Sequence, residues 1–163
     1  MASGNETTIV RATAEDISTI QAMVIAAYSK YVDRMGTLPA PMLANYSQLL
    51  DTEDVYVLRS AVENQVLGSI ILAADEGSGG SIKVNNLVVD PSAQGRGYGR
   101  ILMNYAEREA LSRGLSAVSL FTNVKMVENI GMYAKLGFIE TDRRIEGPYE
   151  RVYFRKHLAN VHR

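Results

Sequence analysis

Apolar residues recur along this chain with two periods, and the changes between them mark the elements. Thr7 to Ala12 alternates as a first strand, after an opening stretch, residues 1–6, expected to fray. Thr13-Ala14-Glu15-Asp16 has the form of a capping box, with Thr13 as N-cap and acids in the first turn. Ile17, Ile20, Val24, Ala27, Tyr28 and Tyr31 then follow at helical spacing, giving one apolar face for about four turns until Gly36. A loop stiffened by Pro39 and Pro41 leads to a shorter helix over about 41–51. Val55 to Val62 and Val66 to Ala74 read as a hairpin about a tight turn at Glu63-Asn64. A surface turn over 75–80 precedes a third long strand, Ile82 to Val89.

In the second half the period returns to helical over about 97–113, where Ile101, Leu102, Tyr105, Ala106 and Ala110 share a face and Gly114 closes the helix. Ala117 to Phe121 is a strand. Asn123 is placed to cap a helix over about 124–136 that ends at Gly137, and Gly131 within it costs roughly 1 kcal/mol against alanine. Phe138 to Arg144 and Val152 to Lys156 form a final antiparallel pair. The order βααβββαβαββ predicts an α/β fold with a mixed sheet flanked by helices on both faces. No linker divides the chain, so residues 1–163 read as a single domain.

Composition narrows the chemistry. At 163 residues the chain can bury a sizeable core, and a formal charge of −1 gives no field for nucleic acid or a membrane surface. Cysteine is absent, which removes disulfides, thiolate zinc sites and cysteine nucleophiles. The two histidines, His157 and His162, both lie in the tail, so no metal cluster is expected. No apolar run approaches the ~20 residues of a membrane span and no secretory signal opens the chain, so a cytoplasmic location is the default expectation.

One stretch carries candidate chemistry. Leu87-Val88-Val89 ends at Asp90-Pro91, and Gln94-Gly95-Arg96-Gly97-Tyr98-Gly99-Arg100 runs into a helix. Glycines let backbone N–H groups converge without Cβ clashes, and the helix start adds its own N–H groups and positive dipole end. A phosphate or pyrophosphate suits such a place. A dinucleotide fingerprint needs Gly-x-Gly-x-x-Gly near a first strand, and a nucleoside-triphosphate loop needs Gly-Lys-Ser/Thr; neither is present. A glycine-rich turn with no ligand is the competing reading.

Gln94-Gly95-Arg96-Gly97-Tyr98-Gly99 fits Gln/Arg-x-x-Gly-x-Gly/Ala after a Val-Val-Asp-Pro strand, and Tyr133-Ala134-Lys135-Leu136-Gly137-Phe138 follows near the end. In these features and in element order the chain resembles the GNAT superfamily of acetyl-CoA-dependent N-acetyltransferases. The resemblance implies a GNAT-like fold with splayed fourth and fifth strands. It implies acetyl-CoA as cosubstrate, its pyrophosphate held by backbone N–H groups of Gln94, Gly95, Arg96, Gly97, Tyr98, Gly99 and Arg100. Its pantetheine would pair with the strand backbone at Leu87, Val88 and Val89 and pass near Asn129. Tyr133, one helical turn from Asn129, would protonate the departing thiolate; a phenol of pKa ~10 is a usable donor to a thiolate of pKa ~8.5. An ordinary core role for Tyr133 is the alternative.

One position departs from the family pattern. Where many members carry a glutamate as general base, this chain has Asn85, followed by Asn86. Asparagine cannot take a proton at neutral pH, although it can hold a water. Exposed strand polarity or a bulge would also account for the pair. The acceptor pocket is expected from Tyr28, Tyr31, Pro41, Met42 and Tyr149, with Met35, Pro39 and Tyr46 near; Tyr28 and Tyr31 also suit a helix core. Tyr-x-x-Tyr followed by Pro-Ala-Pro-Met looks like a subgroup of small bacterial members. Arg143, Arg144, Arg151, Arg155, Lys156 and Arg163 make a basic region, read as a solvated face or as a seat for an anionic group.

The expected function is direct acetyl transfer from acetyl-CoA to a primary amine of a small molecule or peptide, with no metal. A non-catalytic acetyl-CoA-binding or sensor module is the alternative. An edge strand near the C-terminus is compatible with a homodimer.

Overall fold

The computed structural model describes residues 6–75 and 80–158, so the expectations for residues 1–5, 76–79, His162 and Arg163 lie outside the described residues. Strand β1 (Thr7–Arg11) pairs antiparallel with β2 (Asp54–Ser60), which pairs antiparallel with β3 (Val66–Ala74). β4 (Ser81–Val89) pairs in parallel with β5 (Ala117–Asn123), and β7 (Tyr149–His157) lies antiparallel between β5 and the edge strand β6 (Ile139–Glu146). The strands form one mixed sheet in the order β1-β2-β3-β4-β5-β7-β6. The β4/β5 ladder holds only Ser81↔Ala117, Ile82↔Val118 and Lys83↔Ser119, short of the length of either strand. This is the splay expected of the fold.

Contacts cluster into two compact units, Met1–Leu72 with Asn86–Met103, and Ala73–Asn85 with Asn104–Arg163. In the first, the Asp16 carboxylate accepts the Thr13 N–H at 2.9 Å and pairs with Arg59, closing the expected capping box. The long amphipathic stretch becomes α1 (Ile17–Tyr28) and α2 (Lys30–Met35), interrupted at Ser29 and ended by Gly36 at φ 74°. Ile20, Met23, Val24 and Ala27 of α1 pack with Val55, Val57, Val66, Ile71 and Val88. Burying each large aliphatic side chain contributes about 1.5–3 kcal/mol.

Two local expectations are corrected here. The helix expected over 41–51 is two, α3 (Ala40–Leu43) and α4 (Tyr46–Thr52). Ala44 is extended and the Asn45 side chain accepts the Gln48 N–H at 3.0 Å, so the chain starts a new helix there. The hairpin turn is wider than Glu63-Asn64: the Ser60 N–H donates to the Gln65 carbonyl at 2.8 Å, and Asn64 takes the left-handed conformation at φ 57°.

A polar tie fastens these helices to the sheet. The Tyr28 hydroxyl donates to Asn86 Oδ1 at 3.0 Å, Asn86 Nδ2 donates to the Tyr46 hydroxyl at 3.3 Å, and that hydroxyl donates to the Pro41 carbonyl at 2.7 Å. Burial pushes the Tyr46 phenol up to about 12, partly offset by the Asn86 N–H, which favours the phenolate.

In the second unit, α6 (Val127–Lys135) packs on the even-numbered face of β7, with Tyr133 beside Phe138 and Phe154 at ring separations of 5.8 and 5.9 Å. Asn123 does not cap that helix. It stays in β5, its Oδ1 accepts the Lys125 N–H at 2.9 Å, and Met126 takes the N-cap position. α5 (Tyr98–Ser112) and β3 and β4 contribute residues to both units. Among the described residues, no helix is long and apolar enough to cross a membrane.

Two glycines test the packing in opposite directions. A Cβ at Gly68 would lie 2.9 Å from the Val88 carbonyl oxygen and 3.0 Å from Leu102 Cδ1. Gly68→Ala should therefore cost about 1–3 kcal/mol in urea denaturation. A Cβ at Gly131 meets nothing within 4 Å, so Gly131→Ala should add roughly 0.5–1 kcal/mol in the same assay. The neutral Tyr46 phenol contributes stability that is fully present below pH 10 and is lost as pH rises towards about 12. Asn86→Leu should lower stability by about 1–3 kcal/mol and move the Tyr46 ionisation to still higher pH, read by ultraviolet titration.

Candidate active site

The glycine loop is built in steps from the end of β4. The Asp90 N–H donates to the Leu67 carbonyl at 2.9 Å, anchoring the strand end to β3. Its carboxylate accepts the Ser92 N–H at 2.9 Å, capping a short 3₁₀ turn, Pro91–Ala93. Gln94 Nε2 reaches back to the Val89 carbonyl at 3.2 Å. Gly95 and Gly97 then sit at φ 83° and 84°, where L side chains are strained although the space is open. The Ile101 N–H donates to the Gly97 carbonyl at 3.1 Å, the first i→i−4 bond of α5. The amides ahead of it belong to the helix start, where geometry supplies no intrahelical acceptor.

The three glycines are thus not equivalent. Gly99 has no positive φ, and a Cβ there would make ordinary contacts with Val89 Cγ2 at 3.9 Å and Leu87 Cδ2 at 4.0 Å. Tyr98 is 3% exposed, so its ring is core. Val88 likewise buries its side chain in the helix-packed core, whereas Leu87 and Val89 are half-buried. Arg96 and Arg100 are exposed.

The acceptor candidates divide. Tyr28, Tyr31, Pro41 and Met42 lie in the first unit, Tyr149 in the second. Tyr31 is 3% exposed, its ring edge-on to Tyr28 at 5.9 Å and crossed by Lys30 and Arg34, so it belongs to the interior rather than to a pocket wall. Pro41 and Met42 line a groove of 150 Å³ with Gln21, Val24, Ile25, Ala44 and Tyr46. Tyr149 lies under the Arg151 guanidinium at 5.1 Å. Asn86 and Tyr46 form the tie beside this groove. Asn86 shares strand parity with core residue Val88, so a polar residue there needed partners, a signal the sequence does contain.

In the second unit Tyr133 is 7% exposed, and Asn129, one turn before it, is half-buried with Nδ2 3.6 Å from Met126 Sδ. Asn85 is half-buried on β4. The basic region is locally compensated: Arg143 pairs with Glu140 at 2.7 Å, Arg144 with Asp142 at 2.8 Å, Arg151 with Glu146 at 3.1 Å and Lys156 with Glu107 at 2.8 Å. Guanidinium hydrogen bonds hold the Glu140 and Asp142 carboxyls below the usual carboxylate range, and the Tyr153 hydroxyl, followed by Arg151, does the same for Glu146. Among the described residues no cluster of His, Asp and Glu is arranged to hold a metal ion.

Comparison with known proteins bears on this arrangement. Over 102 residues the chain is 37% identical to the IAA acetyltransferase of Azospirillum brasilense, a match covering 63% of this chain and 65% of that protein. The chain thus spans just under two thirds of that relative's length. The ribosomal-protein-S18-alanine N-acetyltransferase of Escherichia coli superposes with a TM-score of 0.73 over 96% of this chain and 97% of its own, at 16% identity. A GNAT family acetyltransferase from Elizabethkingia anophelis, solved with acetyl-CoA bound, superposes with a TM-score of 0.68 over 94% and 99%, at 17% identity. Those structural likenesses establish the fold. The acetyltransferase (GNAT) family model matches residues 23–138, which include the glycine loop, the start of α5 and Tyr133, and the chain belongs to that family.

Proposed function

We propose that this protein transfers an acetyl group from acetyl-CoA to a primary amine of a small molecule or peptide. The observation that carries this reading is the turn at Gly95 and Gly97 into the start of α5, which suits a pyrophosphate. The acetyl-CoA bound to the structural relative from Elizabethkingia anophelis supports the same ligand here. Backbone amides from Gln94 to Arg100 bind the pyrophosphate. The β4 backbone at Leu87 and Val89, beyond the short β4/β5 ladder, pairs with the pantetheine amides. Asn129 contributes a side-chain amide to the same arm.

The amine nitrogen attacks the thioester carbonyl directly, since the chain has no cysteine to carry the acetyl group. The carbon–nitrogen bond forms first, giving a tetrahedral intermediate, and the carbon–sulfur bond breaks as that intermediate collapses. The Tyr133 hydroxyl gives its proton to the thiolate and regains one from solvent. The amine's surplus proton leaves through water held by Asn85, whose side chain donates and accepts hydrogen bonds but takes no proton itself. Asn85 also favours a second reading, a module that binds acetyl-CoA without turning it over. Release of free coenzyme thiol across a panel of amines separates the two.

Tyr133→Phe should lower kcat by roughly 10²-fold, with acetyl-CoA affinity held within about twofold. An unchanged rate with the best acceptor removes Tyr133 from the chemistry. Gly97→Ala, strained at φ 84°, should weaken acetyl-CoA binding in calorimetry, whereas Gly99→Ala should bind as the parent does.

A further inference from the structure

On the sheet face opposite α6, the second unit carries a groove of 330 Å³, near the lower end of small-molecule sites. The register sets Lys83 beside Ser119, Ser119 beside Arg155, and Phe121 beside Tyr153, so these side chains share one face. The other face is the one packed by helices, with Phe154 against Tyr133 and Lys156 paired to Glu107 of α5. The floor of the groove is aromatic: the Phe121 and Tyr153 rings lie 5.3 Å apart, tilted by 46°.

Cations surround this floor, and most are already matched. Arg144 lies 4.5 Å over the Tyr153 ring and is ion-paired with Asp142. Arg151 lies 4.3 Å over the Phe121 ring and is ion-paired with Glu146. Lys83 differs. Its ammonium lies 5.0 Å over the Phe121 ring on a half-buried side chain, and among the described residues no carboxylate pairs with it. Asp75, the acid that lines the groove, is instead held by the hydroxyls of Ser81, at 3.1 Å, and Ser119. A part-desolvated ammonium facing a ring shared with a second cation favours an anion. Asp75 in the same groove disfavours a second negative charge on that anion.

We propose that this groove binds a small organic monoanion, a carboxylate with a flat apolar body. The carboxylate sits on Lys83 and the body on Phe121 and Tyr153. The site is independent of whether the chain transfers acetyl groups, because none of these residues is assigned to that chemistry.

Isothermal titration of the full chain with 3-phenylpropionate and with its uncharged alcohol, 3-phenylpropanol, tests it. The carboxylate should bind at least about tenfold more tightly than the alcohol, the discrimination expected of one charge-assisted hydrogen bond. Lys83→Met should abolish that discrimination, Lys83→Arg should keep it, and Phe121→Leu should weaken both ligands. Equal affinities for acid and alcohol, no binding of the carboxylate at millimolar concentration, or a preference that survives Lys83→Met in a folded protein would overturn the proposal.

Discussion

The turn from β4 into α5 constrains the coenzyme site proposed for this protein. Asp90 anchors to Leu67 and caps the turn at Ser92, and the Gln94 side chain ties back to Val89, so the loop starts from a fixed strand end. Two left-handed residues, Gly95 and Gly97, then redirect the chain. A left-handed conformation costs an L residue about 1–2 kcal/mol, so glycine is required there by backbone geometry even where space is open. What the turn creates is a set of amides at the start of a fifteen-residue helix. A ligand with negatively charged oxygens gains from them both hydrogen bonds and the helix dipole.

The helices before β2 are held by a second constraint, also on β4. Asn86 accepts from Tyr28 and donates to Tyr46, and Tyr46 holds the Pro41 carbonyl. Two neighbouring asparagines thus have different surroundings. Asn86 is committed to fixing the Pro-Ala-Pro-Met segment. Asn85 is half-buried on the same strand, and it is the residue to which the proposed function gives a water-mediated route for the proton. The buried Tyr46 phenol, pushed up to about 12, is in no position to serve as a base at neutral pH.

Much of the fold was legible because apolar runs and breakers agreed. β3 occupies the expected Val66–Ala74, an apolar run bounded by polar turns, and Gly36, Gly114 and Gly137 end helices at positive φ as their positions suggested. The misses came where a side chain competed with the local pattern. Asn45 opened a second helix inside an apparently continuous one, and Asn123 bonded Lys125 without leaving β5. At the site, the glycine loop could be read from spacing, but the separate demands on Gly95, Gly97 and Gly99 could not, since they depend on φ. Tyr31 looked like a pocket residue because tyrosine at helical spacing suits both core and cleft; only its burial decides. Lys83 escaped notice because its lack of a carboxylate partner among the described residues is a property of the folded sheet.

The central claim is that the amides of the glycine loop hold the coenzyme, and backbone amide NMR tests it most directly. Titrating the ¹⁵N-labelled protein with coenzyme A should move the resonances of Gly95, Gly97 and Gly99 strongly downfield, as expected for N–H groups donating to phosphate oxygens. Coenzyme binding that leaves those three amides unmoved, or no binding at all, would contradict the account.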